Sequence, residues 1–236
     1  YPIRGEPERW ITQCRRIMSE NAGPHILPRV HLAMTLAMTG AHDEAMQTSE
    51  DLRHADRVTE NPALICWALV AYGHIRHDTD LVSAFEAHRL GAKIARETGN
   101  RTLETYHTGN LSRLAAKLGD STQTLDFIAM SIRNYLDAGN YFLLPQPMAV
   151  LAHHLDRIEY YEVAATLSGF ATTSFATSYF PETEIAITHL REVLGEETYA
   201  SLAGRGAAMT NAEMAKYALE QIDLVRAHLV HADESP

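Results

Sequence analysis

Thirteen histidines make a metal site the first chemistry to look for in this chain of 236 residues. His74 and His77 stand one helical turn apart, and Asp78 and Asp80 follow directly. Zinc sites normally recruit three or four ligands at recognisable spacing, and the chain contains neither Cys-x-x-Cys nor His-Glu-x-x-His. We therefore interpret this segment as a solvated helix end followed by an Asp that caps the next helix, and we predict no metal.

Nucleophilic and phosphate-binding chemistry have no recognisable pattern either. The chain has no Gly-x-Ser-x-Gly sequence, and neither Cys14 nor Cys66 lies beside an obvious activating base. Gly204-Arg-Gly206 is followed by Ala-Ala-Met and not by the Lys-Ser/Thr of a phosphate-binding loop. The pair Glu182/Glu184 stands where a helix should begin, and the helix dipole explains it. We predict that the chain is not an enzyme and needs no cofactor.

Composition narrows the class of protein further. The chain is 46% hydrophobic, so it can bury a substantial core, and 20 Lys+Arg against 30 Asp+Glu give a net charge of −10. Because no basic run occurs, direct binding of nucleic acid is not expected. The longest apolar stretch, 63–72, is too short to span a membrane, and two cysteines are too few for a disulfide framework. We predict a cytoplasmic protein, and the opening Tyr1-Pro2 suggests a segment of a longer chain.

The elements that would position any site repeat about every 40 residues. Gly99-Asn100 recurs as Gly139-Asn140, and Gly119-Asp120 lies between them. A helix–turn–helix unit with this period is typical of an α-solenoid. The turns inside the predicted helix pairs lie near Gly40, Asp80, Asp120 and Tyr160.

No stretch alternates apolar and polar residues as a strand would, so the expected fold is all-α. We expect residues 1–175 to form a right-handed α-solenoid of tetratricopeptide-like hairpins behind a first helix, and 176–236 to form a helical cap. Gly204-Arg-Gly206 is expected to end a helix, and Thr210 with Glu213 to form a capping box. The helices are predicted at about 7–20, 26–39, 43–59, 62–77, 81–97, 103–118, 123–137, 145–156, 161–173, 181–194, 196–203 and from 210, with a connection at 174–181.

Aligning the first helix of each pair on the 40-residue period brings chemistry-bearing side chains to one face. His74, for example, aligns with His154. First helices usually line the concave face of stacked hairpins, so this alignment predicts a groove for an anionic or aromatic ligand or an acidic peptide. The alternative is that Trp67 belongs to the core and the cations to a solvated face. The predicted groove consists of Trp67, His74, His77, His107, Lys117, His154 and Arg157.

One part of the chain resembles a known family. Ala165-Thr-Leu-Ser-Gly169 and the stretches 190–200 and 204–218 resemble the C-terminal tetratricopeptide-like region of large actinobacterial signalling ATPases. Some of these regulators begin with an adenylate-cyclase-like domain, and many end with a LuxR-type DNA-binding domain. The resemblance implies a sensor arm that holds the nucleotide-binding module inactive until an inducer or partner binds. No nucleotide-binding motif, cyclase signature or LuxR-type domain lies within the chain, so no catalytic residue is carried over.

We therefore expect a regulatory arm that contacts other domains of its own polypeptide and binds a protein partner or a small effector. Two alternatives stay open. A structural module would form a homodimer through an apolar face of its first helix or last helix pair. An enzyme would use the histidine-lined groove, and it should present an acid, a base and a nucleophile in one deep pocket.

Overall fold

The computed structural model describes residues 6–20, 23, 25–172 and 182–233, and these residues are all-helical. No strand occurs in the described ranges, so the all-α prediction is confirmed. The described chain also has short 3-10 helices at Glu50–Arg57 and Tyr141–Leu143. Its α-helices are α1 (Pro7–Glu20), α2 (Ile26–Met38), α3 (His42–Ser49), α4 (Pro62–Arg76), α5 (Leu81–Glu97), α6 (Arg101–Leu118), α7 (Ser121–Asp137), α8 (Pro145–Arg157), α9 (Tyr161–Ala171), α10 (Glu182–Leu194), α11 (Glu196–Ala207) and α12 (Asn211–Asp233).

The chain divides into two compact units, the first ending at Leu114 and the second beginning at Ala115. The division falls inside α6, so the two ends of that helix belong to different units. Each unit buries apolar clusters of its own. The predicted boundary between residues 175 and 176, and the connection predicted at 174–181, lie outside the described residues. Among the helices described, none has the length and apolarity that crossing a membrane requires.

Four connections join helices into pairs where the 40-residue period predicts them. They link α2 to α3, α4 to α5, α6 to α7 and α8 to α9. Each contains the residue that the sequence marks as a turn, so the four predicted turn positions are confirmed. The connections are residues 39–41, 77–80, 119–120 and 158–160.

The first helices of the pairs end at a residue in the left-handed conformation in three of these connections. Gly119 has φ +83°, which lets the N–H of Asp120 donate to the Ala115 carbonyl at 3.0 Å. Gly40 occupies the same place with φ +86°, and so does Glu159 with φ +68°. The left-handed conformation costs glycine little and an L-residue about 1–2 kcal/mol.

Side chains of Asp and Asn begin the helices that follow. Asp80, Asn100 and Asp120 each accept a backbone N–H three residues on, at 3.0, 3.1 and 2.8 Å. Thr210 and Glu213 form the predicted capping box: the Glu213 carboxylate accepts the Thr210 N–H at 2.8 Å, and the Thr210 hydroxyl accepts the Glu213 N–H at 3.3 Å. Each cap contributes about 1 kcal/mol by pairing donors that the first turn leaves open.

α4 is the central helix of the first unit, as its nearly continuous apolar sequence predicts. It packs against α2, α3, α5 and the 3-10 helix Glu50–Arg57. At its end, the buried Arg76 guanidinium donates to the Ser49 hydroxyl at 2.8 Å, pairs with the Glu50 carboxylate and lies over the Tyr72 ring. A buried guanidinium is tolerated because its charge and its N–H groups are paired.

The helix predicted at 43–59 is only partly correct. It is α-helical as far as Ser49, and Glu50–Arg57 continue as a 3-10 helix that His54, with φ −113°, interrupts. Arg76 of α4 pairs with the Glu50 carboxylate here, and Arg29 of α2 pairs with the Asp51 carboxylate. These long-range ion pairs fix the segment, and helical spacing within the segment carries no record of them.

The second unit contains α7, α8 and α9 together with the three C-terminal helices. α10 packs against α8 and α9, α11 against α9, and α12 against α7 and α9. These contacts form one apolar core. Its largest fully buried side chains include Leu125, Ile128, Ile132, Leu144, Met148, Leu151, Leu155 and Leu167.

Glycines bring α9 and α11 into backbone contact. A Cβ at Gly169 would lie 2.0 Å from the Ala203 carbonyl oxygen, and a Cβ at Gly206 would lie 1.8 Å from the Thr166 carbonyl oxygen. α11 passes through Gly204-Arg-Gly206 and ends only after it, so the predicted break there is wrong. Glycine permits close helix packing at this position, and burial of the crossing keeps the helix intact.

Candidate functional site

The seven residues of the predicted groove belong to both units. Four lie in the first unit, on or directly after α4 and on α6, and three lie in the second unit, on α6 and α8. Each set is therefore a feature of its own unit. The first set is Trp67, His74, His77 and His107, and the second is Lys117, His154 and Arg157.

In the first unit, Trp67 forms an aromatic pair that the sequence alignment does not include. Its indole is half-buried on α4 and lies against Tyr106 of α6, with ring centroids 5.6 Å apart and the planes at 54°. The inner edge of Trp67 packs on a small core of Cys66, Ala95 and Leu103. Tyr106 remains 38% exposed, so the pair presents aromatic surface to solvent.

His74 lies two helical turns after Trp67 and is exposed. The surrounding protein atoms lower the pKa of its imidazole, the positive charge of Arg113 lowers that pKa further, and Asp78 opposes both effects. Arg113 lies on α6, two turns after Tyr106. The first unit therefore places two aromatic rings near each other and, farther along the same two helices, two basic side chains whose charges interact.

His77 and His107 are not on this solvated face. His77 is 4% exposed and its Nδ1 lies 3.3 Å from the Asp78 carboxylate, so the helix end predicted to be solvated is buried at this residue. His107 is fully buried on a different face of α6 from Tyr106. Asp80 caps α5, as predicted.

His107 pairs with His88, a residue that the sequence analysis missed. The two Nδ1 atoms are 3.0 Å apart and both rings are fully buried, so one imidazole donates and the other accepts. Burial lowers the pKa of His107 to about 4, although a hydrogen bond with the Cys66 backbone opposes the shift. Burial, and then the charges of His107, His74 and His77, also hold the pKa of His88 well below its usual value.

Two glycines make room for this histidine pair. A Cβ at Gly73 would lie 2.6 Å from Nε2 of His88, and a Cβ at Gly91 would lie 2.1 Å from the His107 ring. Each imidazole therefore occupies the volume of a missing side chain on the neighbouring helix. In the sequence, the apolar surroundings of Gly73 are the signal that another side chain packs there. The pair is neutral at physiological pH, and its arrangement ties α4, α5 and α6 together.

In the second unit, the three groove residues do not share one environment. His154 is buried, and burial, followed by the charges of Arg157 and His153, lowers the pKa of its imidazole to about 4. Lys117 and Arg157 are exposed. Nη1 of Arg157 donates to the Ala116 carbonyl at 3.1 Å, and this bond satisfies an acceptor in the last turn of α6.

The second unit also contains an Asp–His pair that the sequence analysis missed. The buried Asp156 carboxylate of α8 lies 2.8 Å from Nδ1 of His189 on α10, and the Tyr161 ring meets the His189 ring edge-on at 5.8 Å. A buried carboxylate that orients a solvent-accessible imidazole is half of a general-base arrangement. In the described part of the chain, no Ser, Thr or Cys hydrogen-bonds to His189, so a positioned nucleophile is not part of the observed geometry.

Metal and thiol chemistry find no support in the described residues. Within the described ranges, no group of three or more His, Cys, Asp or Glu has a geometry that could hold a metal ion. Cys14 and Cys66 are both buried with free thiols. Burial raises the pKa of Cys66 to about 11 and raises that of Cys14 as well, so both thiols stay protonated and poorly nucleophilic.

Comparisons with known proteins add no identification. A scan against models of protein families, a search of curated proteins and a search of solved structures each find no match. Any function assigned to the chain therefore rests on its sequence and on the geometry of the described residues.

Proposed function

We propose that this chain is a recognition module without enzymatic activity of its own. In this proposal it is a right-handed α-solenoid of tetratricopeptide-like hairpins closed by a C-terminal helical cap. It serves as the cytoplasmic sensor arm of a larger ATPase-type regulator, where it contacts other domains of the same polypeptide and binds a protein partner or a small effector.

The observation that carries the proposal is the register of the helix pairs. The four connections keep the 40-residue period, and α4 contacts α2 as well as α6. Trp67 meets Tyr106, and His74 interacts with Arg113, both at an offset of 39 residues. Equivalent residues of successive first helices are expected to meet in this way when hairpins stack as repeats.

The C-terminal helices support the same proposal. Stacked hairpins leave the apolar face of the last hairpin uncovered, so a solenoid needs a capping element. α10 and α11 both pack against α9, the second helix of the last pair. The Gly169–Gly206 crossing lies in the two stretches that resemble actinobacterial signalling ATPases, which relates that resemblance to a packing requirement.

Two other functions have specific observations in their favour. A dimerisation module is favoured by exposed apolar side chains on α1 and α12: Trp10 is 46% exposed, Leu224 54% and Val230 56%. An enzyme is favoured only by the Asp156–His189 pair. Light scattering at several concentrations tests the first alternative, and a monomer at every concentration would count against it.

The coding sequence on either side of this segment tests the proposal itself. A regulator of the proposed class requires a nucleotide-binding loop of the form Gly-x-x-x-x-Gly-Lys-Ser/Thr upstream, followed by the strand–helix pattern of an ATPase. We expect to find it in the same reading frame. A parent protein with no nucleotide-binding domain would overturn the regulatory assignment.

A further inference from the structure

The exposed faces of α4 and α6 in the first unit form one surface with two chemically different ends. Trp67 and Tyr106 supply an aromatic end. His74 and Arg113 supply a basic end, seven residues farther along each helix. Seven residues of α-helix span about 10 Å, so the two ends are separated by roughly that distance. We call the four residues together the α4–α6 face.

Between these ends, α6 lacks a side chain. Gly109 lies one turn after Tyr106 and one turn before Arg113, is only half-buried, and has no protein atom within 4 Å of the place where a Cβ would stand. The other glycines inside α4 and α5, Gly73 and Gly91, are filled by histidine rings. Gly109 therefore opens a notch on the solvent side of α6, at the middle of the α4–α6 face.

The charge of this face is opposite to that of the chain. The protein carries a net charge of −10, yet α4 contains no Asp or Glu. The one acid of α6, Glu104, is buried and paired with Arg96 of α5 at 2.8 Å. Asp78 is the acidic group that acts on His74. An anion is therefore favoured at the basic end over the rest of the surface.

We infer that the α4–α6 face binds a nucleotide, with its base on the Trp67–Tyr106 pair and its phosphates beside His74 and Arg113. This inference rests on the proposed recognition function and names the ligand class. A base stacks on exposed aromatic rings, a guanidinium and an imidazole attract phosphate, and the notch at Gly109 accommodates the sugar between them. Because the two ends are about 10 Å apart, a di- or triphosphate matches the face better than a monophosphate.

Tryptophan fluorescence can report the contact directly. The chain has two tryptophans, so the full chain carrying Trp10→Phe leaves Trp67 as the single emitter. ATP, ADP, AMP, adenosine and inorganic tripolyphosphate serve as probes. We expect saturable quenching of Trp67 by ATP and ADP, and affinities at least about tenfold weaker for adenosine and tripolyphosphate, which each occupy one end only.

Substitutions then test each part of the face by calorimetry with ATP. Gly109→Leu fills the notch without meeting protein atoms and should abolish measurable binding, while His74→Ala and Arg113→Ala should each weaken it about tenfold. Arg89→Ala is the matched control, because it removes a cation from the exposed surface of α5 in the same unit. It should leave the affinity within about twofold. Circular dichroism verifies that each variant folds.

Three results would overturn the inference: no saturable binding of any nucleotide, tripolyphosphate binding as tightly as ATP, or affinity for ATP unchanged by both Gly109→Leu and His74→Ala. Failure here is distinguishable from failure of the proposed function. An ATPase domain encoded upstream together with a face that binds no nucleotide would leave the regulatory arm in place and remove this ligand. Nucleotide binding without such a domain would do the reverse.

Discussion

The contact between α9 and α11 yields the sharpest stability prediction, because α11 carries two glycines in different surroundings. A Cβ added at Gly206 would lie 1.8 Å from the Thr166 carbonyl oxygen, whereas a Cβ added at Gly204 would meet nothing within 4 Å. The two substitutions, Gly206→Ala and Gly204→Ala, add the same methyl group to the same helix. They differ only in what the methyl group meets.

The expected magnitudes come from that difference. A Cβ does not normally approach another heavy atom within 3.0 Å, so Gly206→Ala forces the helices apart by roughly 1 Å. Overpacking of this kind typically costs about 1–3 kcal/mol. At Gly204 the gain in helix propensity stabilises the chain by up to about 1 kcal/mol. The two variants should therefore differ by about 2–4 kcal/mol in the free energy of unfolding.

Urea unfolding of the full chain followed by circular dichroism measures this difference. Hydrogen exchange of peptides from α9 and α11 shows whether the loss is local to the crossing. We expect faster exchange in both helices for Gly206→Ala and unchanged or slower exchange for Gly204→Ala. Equal stability of the two variants would refute the close backbone contact between α9 and α11.

Three further predictions concern the histidine pair and the helix ends. Since His107 has a pKa of about 4 when folded against an ordinary value of 6.5, the unfolded chain binds the extra proton, and about 3 kcal/mol of stability should be lost as the pH falls from 6.5 to 4; urea unfolding across this range checks it, and His107→Gln should flatten the dependence. Gly91→Ala should destabilise the first unit by about 2 kcal/mol, and His107→Ala in the same chain should restore part of that loss; strictly additive effects in a double-mutant cycle would contradict the ring contact. Glu159→Gly should stabilise the chain by about 1 kcal/mol by relieving the left-handed backbone, whereas Gly119→Ala should destabilise it by a similar amount; thermal unfolding of both variants tests the pair.

The helix boundaries were predictable because their causes are local. A glycine such as Gly119 ends a helix through its own φ, and Asp120 begins the next through its own side chain, so a few neighbouring residues contain the information. The 40-residue period added the pairing of helices. Where a boundary depends on distant partners, as at Glu50 and Gly206, the local pattern gave the wrong answer.

The candidate site was predictable only in part, for the same reason. Trp67 and His74 follow from the period of the first helices, and the structure adds Tyr106 and Arg113 as their neighbours on α6. The burial of His107 did not follow, because an error of one residue in register rotates a helical position by about 100°. Whether the groove extends to residues of the second unit stays a prediction.

The register of successive first helices is the central claim, and nuclear Overhauser effects between Trp67 and Tyr106 test it most directly. In the Trp10→Phe protein the indole signals belong to Trp67 alone, and the two ring centroids are 5.6 Å apart although 39 residues separate them in sequence. We predict cross-peaks between the two rings. A fully assigned spectrum in which the indole shows cross-peaks only to α4 and its sequence neighbours would contradict the stacking of α4 beside α6.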